Sequence, residues 1–509
     1  MNYILASIPI LIILVLMVGF RWGAARAGGA GYLSAMVIAF LFFGAKPELL
    51  AYAHARALLL TLDVLFIVWA AFLFYRVVDE AGSIHAIGQA LPHLTADRSM
   101  QALVIGWVFA SFLQGVGGFG VPVAVIAPLL VGLGFTPLEA VIIPSIGHGW
   151  AVTFGSLGSS FQALMAATGL DWHVLAAPSS VFLSLSGILV GLMIAHVSEG
   201  WLGLRRLMMA VLVYGLVMGA VQVLIASFGL WNIASFCGGL AGLLITPYLA
   251  RRYRGNPNNH EEVLEGRALA IALSGYMILI VITLSVQLVP AINGFLGKVV
   301  LTLQFPQVNT ELGYITPAGA GRKIAFFRHA GAILTYASIF SFLVYRSAGK
   351  YQRGAIGRIV FGTLQRVMSS SVSIASMVTM AVIMENSGMT ETLARGLAEG
   401  TGKAFPLVAP WIGAIGAFMT GSNTNSNVVF GALQMRTAEL LGYTIAIILA
   451  AQTAGAALAS VMAPTKVVVG ASTAGMAGKE GDVMRKLLVY TVLLVLFISL
   501  LTLIGLWLT

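Results

Sequence analysis

Two polar interruptions of long apolar stretches contain the residues best suited to bind a small ligand. The first runs from Gly115 to Pro122, and the second runs from Gly421 to Asn427. Glycine, proline and small polar residues break a helix, and each new helical segment then begins with unpartnered backbone amides that have partial positive charge. Because such helix starts bind anions, the two interruptions indicate a site for a small carboxylate.

The side chains within these interruptions fit the same ligand. Glycines let the backbone approach a ligand closely. Short hydroxyl and amide groups donate hydrogen bonds to a carboxylate or a hydroxyl, although the amide oxygens could equally hold a cation. The residues predicted here to bind substrate are Gly117, Gly118, Gly120, Ser422, Asn423, Thr424, Ser426 and Asn427.

Two further polar segments follow these interruptions in corresponding positions. The segment 153–160 supplies Ser159 and Ser160, and the segment 463–466 supplies Lys466. We expect these three side chains, with the preceding His148, to line the same substrate site. The alternative for Lys466 is a side chain that extends to the cytoplasmic interface. The alternative for His148 is a structural hydrogen bond.

Ionisable or polar groups inside apolar runs are the candidates for coupling transport to an ion. A charged side chain at the bilayer centre costs roughly 2.5–3.5 kcal/mol on insertion scales, so its presence indicates function. We predict this role for Asp63, His148, Glu385 and Asn423, with H⁺ and Na⁺ both open as the coupling ion. The alternative for Asp63 is an ion pair with an arginine that serves packing.

The same segments do not have the pattern of a catalytic site. They lack a nucleophile with a base and an orienting group, and they lack the spacing of metal ligands. The single cysteine, Cys237, excludes an internal disulfide and a cysteine metal cluster. We therefore expect no enzyme, no metal site and no cofactor other than the coupling ion.

The composition requires a lipid bilayer around most of the chain. Of the 509 residues, 59% are hydrophobic and 9% are charged, whereas a soluble domain has about 25% charged residues. This excludes a soluble enzyme, a nucleic-acid-binding protein and a disordered regulator. The net charge of +10 fits basic cytoplasmic loops better than a nucleic-acid partner.

The elements that position these residues are apolar helices. A crossing needs about 20 apolar residues, and the sequence predicts an all-α membrane protein with about 12 transmembrane helices. The two interrupted stretches, 101–135 and 406–442, are predicted to be re-entrant helical hairpins, because broken backbone at membrane depth must be satisfied by protein or by a watery cavity. The predicted crossings are 2–20, 31–45, 57–78, 137–157, 174–196, 207–226, 231–250, 268–290, 330–345, 359–388, 444–464 and 487–508.

Basic residues orient these helices in the cell inner membrane. With the N-terminus outside and both hairpins non-crossing, the inside loops contain more than twice as many Lys and Arg residues as the outside loops, as the positive-inside rule requires. The segment 291–329 has mixed charge and could contain an additional half-helix.

The two interrupted stretches belong to an internal repeat. Ser111 to Gly115 resembles Ala417 to Gly421, and Gly134-Phe135-Thr136 resembles Gly442-Tyr443-Thr444. The repeats begin on opposite sides of the membrane and are therefore inverted, an arrangement that indicates a transporter site near the midplane. The alternative is tight packing of glycine-rich helices. We predict a first repeat at 1–200, a linking helix pair with a cytoplasmic loop at 201–267, and a second repeat at 268–509.

Several motifs resemble those of the bacterial lactate permease family, which includes glycolate permeases. They are 118–124 with 132–135, Met384 to Met389, Thr420 to Asn427 with 430–434, and Gly478 to Asp482. The resemblance implies a symporter of short 2-hydroxymonocarboxylates, such as lactate or glycolate, that is typically coupled to protons. It also implies membership of a broader superfamily of inverted-repeat, elevator-like transporters, which are often homodimers.

The sequence departs from that family pattern at the predicted site. The family usually has aspartate where Asn423 stands and Asn-Thr-Ala-Pro where His148 to Ala151 stand, and it lacks a lysine at the place of Lys466. These departures leave open a sodium-coupled transporter of another small organic anion, such as a dicarboxylate or a sulfonate.

Overall fold

A computed structural model of the protein describes residues 2–118, 120–253, 266–321 and 323–509. Phe119 of the first interruption and 254–265 of the predicted cytoplasmic loop lie outside the described residues. The described chain is almost entirely helical, as predicted for an all-α membrane protein.

The N-terminal part contains eleven α-helices and several one-turn helical segments. Helix α5 continues through a π-helical segment, Val104–Phe109, into α6, and α10 bends at Glu199 and Gly200, where the backbone is not helical. The helices are α1 Asn2–Leu14, α2 Ala24–Phe42, α3 Pro47–Glu80, α4 Ser83–Ala90, α5 Arg98–Leu103, α6 Ala110–Val116, α7 Val121–Gly132, α8 Pro137–Gly147, α9 Ser159–Thr168, α10 Trp172–Ser227 and α11 Ala234–Ala250.

The C-terminal part is built in the same way, apart from one β-hairpin between α13 and α14. The helices are α12 Gly266–Leu288, α13 Pro290–Leu296, α14 Ala330–Ser347, α15 Ala355–Asn386, α16 Met389–Thr401, α17 Phe405–Thr420, α18 Asn423–Leu441, α19 Ile445–Ala459, α20 Pro464–Thr473 and α21 Glu480–Leu508.

Among the described residues, 12 helices are long and apolar enough to cross a membrane. The number agrees with the prediction, but the set differs. The predicted crossings 174–196 and 207–226 form the single bent helix α10, and 330–345 is not among the 12. The first arms of the two predicted hairpins belong to helical segments that are long enough to cross a membrane, Arg98–Val116 and Met389–Thr420. The re-entrant path of the hairpins and the inverted repeat remain predictions.

Several helices begin earlier than the hydropathy pattern predicts, and α3 and α21 show the reason. Helix α3 starts at Pro47, where proline occupies the first turn, so Arg56 lies in a helix and not in the predicted outside loop. Helix α21 starts at Glu480 with two acidic residues in its first turn. Acidic residues stabilise a helix N-terminus, so α21 begins before its apolar stretch.

Apart from the short helix α13, the described residues of 291–329 form no additional half-helix of the kind that the sequence left open. From Val300 to Ala325 the strands form a long β-hairpin of three antiparallel pairs. The reason is local composition, because β-branched Val, Ile and Thr residues favour strands. The pairs are β1 Val300–Leu301 with β6 Ile324–Ala325, β2 Gln304–Phe305 with β5 Gly319–Ala320, and β3 Val308–Asn309 with β4 Ile315–Thr316.

Helix packing places the interrupted segments against long supporting helices. Helices α3 and α15 pack along each other, α9 packs against α18, and these pairs touch through α3 with α9 and through α15 with α18. Helices α17 and α19 are in close contact through glycine. A Cβ on Gly413 would lie 2.1 Å from the carbonyl oxygen of Gln452, so only glycine allows this approach.

Candidate functional site

The first interruption is a true break between two helices. Helix α6 ends at Val116, α7 begins at Val121, and both Gly118 (φ +54°) and Gly120 (φ +84°) have left-handed backbone. A Cβ on Gly118 would lie 1.6 Å from the hydroxyl of Ser156. Glycine is therefore required where this break lies against the segment that leads into α9. Gly117 instead packs beside the ring of Tyr75.

The second break is shorter than predicted. Gly421 (φ +69°) ends α17, and α18 begins at Asn423 with Ser422 as its N-cap. The Ser422 hydroxyl accepts a hydrogen bond from the Asn425 amide at 3.3 Å, which starts the next helix at once. The prediction of a break through Asn427 was wrong in extent, and residues 423–427 form the first turns of α18.

The two downstream helices are also broken, at positions slightly different from those predicted. Helix α8 ends at Gly147, and the chain resumes a regular helix at Ser159. Between them, Ser156 (φ 47°) and Leu157 (φ 54°) adopt left-handed backbone, which is strained for residues with a side chain and is typical of functional sites. Helix α19 ends at Ala459 and α20 begins at Pro464, so Lys466 lies in the first turn of α20 and not within the break.

The structure brings residues of both halves together around one small polar gap. The Ser160 hydroxyl lies 3.0 Å from the Thr424 hydroxyl, and the Asn427 amide donates to the Ser160 carbonyl at 3.0 Å. The Asn423 amide donates to the Thr153 hydroxyl at 3.0 Å. The residues that line the gap are Gln114, Val152, Ser156, Ser159, Ser160, Gly421, Ser422, Asn423, Thr424 and Lys466.

Besides Gly117 and Gly118, described above, Ser426, His148 and Gly120 are predicted binding residues that do not line the gap. Ser426 donates to the carbonyl oxygen of Gly413 at 2.8 Å, which joins α18 to α17. The His148 Nδ1 lies 2.6 Å from the Pro144 carbonyl oxygen, a structural hydrogen bond, while its Nε2 has no partner among the described residues. Gly120 lies at the edge of the gap, and a Cβ there would be 4.0 Å from the Lys466 side chain.

Lys466 is the charged group at the centre of this arrangement. Its side chain is buried, at 9% exposure, and its ammonium donates one hydrogen bond, to the Ser460 hydroxyl at 3.0 Å. Within the described part of the chain it forms no ion pair. A lysine at a helix N-terminus opposes the helix dipole, and an unpaired buried charge is costly. Both costs would be reduced by a bound anion.

A larger cavity continues from Lys466 on the side of the predicted cytoplasmic loops. It has a volume of about 260 Å³ and is bounded by the start of α2, the middle of α15 and the second break. Its polar lining groups, apart from Lys466, are Ser369, Ser370, Ser373, Thr420, Ser422, Asn425 and Thr465. The second break and Lys466 are therefore shared between this cavity and the polar gap.

Several buried amide oxygens near the gap lack a donor. The Oδ1 atoms of Asn423, Asn425 and Asn427 have no hydrogen-bond partner among the described residues. An unsatisfied buried acceptor costs about 1–3 kcal/mol. A hydrogen bond from a ligand hydroxyl to Asn423 or Asn427 would remove this cost and so contribute to the binding free energy.

Asp63 is buried in α3, and its contacts within the described part of the chain include two groups that sequence patterns did not identify. Gln162 of α9 donates to one carboxylate oxygen at 2.5 Å, and the His329 Nε2 lies 3.1 Å from the other. The His329 ring stacks on Phe66 at 5.1 Å between centroids. Because Gln162 lies in the helix that starts at Ser159, Asp63 is connected to the gap through one helix.

Glu385 lies elsewhere, near the C-terminal end of α15. Its carboxylate is 3.6 Å from the guanidinium of Arg56 and borders a separate cavity beneath the β-hairpin. Glu385 also borders the narrow gap lined by Ala163 of α9 and Val428 of α18, but it does not line the polar gap at the helix breaks. Of the four predicted coupling residues, Asn423 lies in the gap, Asp63 is one helix away, and His148 is enclosed at the end of α8.

Comparison with known proteins shows the family of the chain. The L-lactate permease family model matches residues 2–509. The glycolate permease GlcA of Escherichia coli (strain K12) is 26% identical, with 99% of this chain and 95% of that protein covered. The L-lactate permease of Bacillus subtilis (strain 168) is 28% identical, with 96% of this chain and 94% of that protein covered.

Among solved structures, the YdaH transporter of Alcanivorax borkumensis aligns over 90% of this chain and 88% of that chain, with 16% identity and a TM-score of 0.49. The family model and the relatives span nearly the whole sequence, including both breaks. The chain therefore belongs to the L-lactate permease family and is a multi-pass protein of the bacterial inner membrane.

Proposed function

We propose that the protein is a secondary transporter of small 2-hydroxymonocarboxylates, with lactate or glycolate as the substrate. The observation behind this proposal is the buried ammonium of Lys466, which has no carboxylate partner among the described residues and lies between two helix breaks. The names of the relatives, an L-lactate permease and a glycolate permease, supply the substrate class.

The substrate carboxylate would bind Lys466 and the positively polarised N-terminal ends of α9 and α18. A hydrogen bond to a charged group is worth about 1.5–3 kcal/mol, and helix starts add favourable electrostatics for an anion. The 2-hydroxyl of the substrate would donate to an unsatisfied oxygen of Asn423 or Asn427. Ser159 and Ser160 would complete the site at the first half.

We also propose that a proton is the coupling ion and that Asp63 is the group that binds it. Asp63 is a carboxylate buried within a transmembrane helix, where ionisable groups mark proton paths, and its contact with Gln162 lies on the helix that begins at the substrate gap. A sodium-coupled carrier of another anion is the alternative. Replacement of sodium by choline during uptake separates the two, because only the sodium-coupled carrier would stop.

Alternating access would come from movement of the broken helices as one body, with α6–α9 and α17–α20 moving against α3 and α15. The small residues Ala163, Ala166 and Ala432 lie between these two groups of helices and line a narrow gap of about 20 Å³. The other residues that line this gap are Leu60, Val64, Ala167, Val378, Ala381, Val382, Val428 and Glu385. Most of the lining is therefore aliphatic and offers no side-chain hydrogen bonds that sliding would break.

The test of the substrate site removes one side chain from each half. Ser159→Ala and Asn423→Ala should each abolish lactate and glycolate uptake into proteoliposomes, because both residues line the gap. Ser347→Ala and Asn309→Ala are matched controls at exposed positions and should transport normally. Undiminished uptake by both site variants, with normal insertion in the membrane, would reject this site.

A further inference from the structure

A second cavity, separate from the broken helices, lies beneath the β-hairpin on the predicted outer side. It has a volume of about 260 Å³, slightly below the range of about 300–1,000 Å³ typical of drug-sized ligand sites, and therefore suits a smaller molecule. The residues that line it are Tyr52, Arg56, Phe305, Tyr314, Thr316, Pro317, Ala318, Gly319, Ala320, Glu385 and Asn386.

The β-hairpin is held firmly over this cavity. The ring of Phe305 packs edge-to-face on Tyr52 of α3, with 5.2 Å between centroids. The Glu311 amide donates to the Gly44 carbonyl at 2.9 Å. At the other end, the ring of Tyr314 lies under Gly388, where a Cβ would approach it to 2.9 Å. The cavity is therefore a built feature of the fold and not a gap beside a loose loop.

Arg56 is the only basic residue among the described residues that line the cavity, and its binding capacity is largely unused. Among the described residues, its nearest carboxylate oxygen, on Glu385, is 3.6 Å away, and its one hydrogen bond, to the Asn386 amide oxygen, is 3.4 Å long. By contrast, the guanidinium of Arg358 lies 2.6 Å from a carboxylate oxygen of Glu80. A guanidinium has five donors arranged to bind a carboxylate through two parallel hydrogen bonds.

We infer that Arg56 forms a second, outer binding site for small monocarboxylates, in the cavity between the β-hairpin and the ends of α3 and α15. The amide nitrogen of Asn386 donates to the Val382 carbonyl at 2.6 Å. This hydrogen bond holds the amide oxygen of Asn386 toward the guanidinium of Arg56. Glu385 repels the incoming carboxylate, so binding is weak and release is fast. This suits a site that concentrates substrate without retaining it.

The position of this cavity links it to the interface between the two groups of helices. Glu385 borders both the outer cavity and the narrow gap lined by Leu60, Val64, Ala163 and Val428. The gap is apolar and too small for a carboxylate in this conformation. The outer site would therefore hold substrate above a closed interface until the broken helices move. This inference concerns the substrate class given under the proposed function and rests on it.

The test measures access of charged reagents to a cysteine placed in the outer cavity. The substitution Cys237→Ser removes the single native cysteine, and Ala318→Cys then places the only thiol of the protein at the lining of the cavity. Intact cells are treated with an anionic or a cationic membrane-impermeant methanethiosulfonate, and the two modification rates are compared. Arg56→Gln should lower the ratio of anionic to cationic rates by about three-fold or more, because it removes the local positive potential.

Protection by substrate is the second readout. Lactate added outside should slow modification with Arg56 present and should have no effect in the Arg56→Gln variant. Arg395→Gln removes an exposed arginine that does not line the cavity and should leave the rate ratio and the protection unchanged. An unchanged rate ratio in the Arg56→Gln variant, or protection that survives that substitution, would overturn the inference.

A further variant separates this inference from the proposed function. In the Lys466→Gln variant the inner site is disabled, and lactate should still protect the outer cysteine through Arg56. Protection that disappears with Lys466→Gln would show that the outer site does not bind substrate independently and would overturn the inference. Normal uptake by Lys466→Gln together with persistent protection would overturn the assignment of Lys466 to the inner substrate site and support the outer site, whereas absence of lactate uptake by the unmodified protein would overturn the proposed function.

Discussion

Replacement of Lys466 by methionine tests the central electrostatic argument. Methionine has a similar length and fills the same volume, but it removes the ammonium that faces both the polar gap and the larger cavity. The lost interaction is a charge-assisted hydrogen bond to the substrate, worth about 1.5–3 kcal/mol. At about 1.4 kcal/mol per factor of ten, the KM for lactate should rise roughly 10- to 100-fold.

The same substitution should not destabilise the protein, because the ammonium makes only one hydrogen bond within the described chain, to Ser460. Removal of a buried charge that opposes a helix dipole should leave the melting temperature unchanged or raise it. A loss of transport without a loss of stability is the signature of a binding group, whereas a packing group would lose both.

The assay is uptake of radiolabelled lactate into proteoliposomes, paired with thermal unfolding of the purified protein. Lys479→Met is the matched control, because Lys479 is exposed after α20, and its KM should not change. An unchanged KM in Lys466→Met would refute the assignment of Lys466 to the substrate. A large fall in melting temperature would show that the ammonium stabilises the fold instead.

Two further predictions concern coupling and packing. Asp63→Asn should abolish lactate accumulation driven by a pH gradient, because it removes the proposed proton-binding group. It should retain lactate exchange at equal pH, because the asparagine oxygen still accepts a hydrogen bond from Gln162. Loss of both activities would contradict a role limited to coupling. Gly413→Ala should lower the melting temperature, since its Cβ would lie 2.1 Å from a backbone oxygen and overpacking costs about 1–3 kcal/mol or more. Gly357→Ala, which has open space around its Cβ, should not lower it.

Much of the membrane architecture could be predicted because hydropathy reports directly on lipid exposure. Apolar runs predicted most of the long helices, and glycine with small polar residues predicted the breaks at which α6, α8, α17 and α19 end. Some errors concerned whole elements, such as the β-hairpin within 291–329 and the single helix α10 in place of two crossings, and others fell at element ends. Capping groups such as Ser422 and Pro47, and not hydropathy, decided where α18 and α3 begin.

The site could be predicted only in part, for a related reason. Ser159, Ser160, Asn423, Thr424 and Lys466 lie next to breaks, so their position in the sequence indicates that they line a site. The partners of Asp63 give no such signal. Gln162 lies within a regular helix, and His329 is 266 residues away from Asp63 along the chain, so only the packing of α3 against α9 and α14 brings the three together.

The sequence by itself determined that this is a membrane protein with two broken helical stretches, because composition and local helix propensity act within a few neighbouring residues. Only the tertiary structure decided which polar groups share one cavity, which of them retain unsatisfied atoms, and that Lys466 lacks a carboxylate in the described chain while Arg56 has only a loose one. These properties depend on contacts between residues far apart in the chain, whose burial and pairing are set by how whole helices pack.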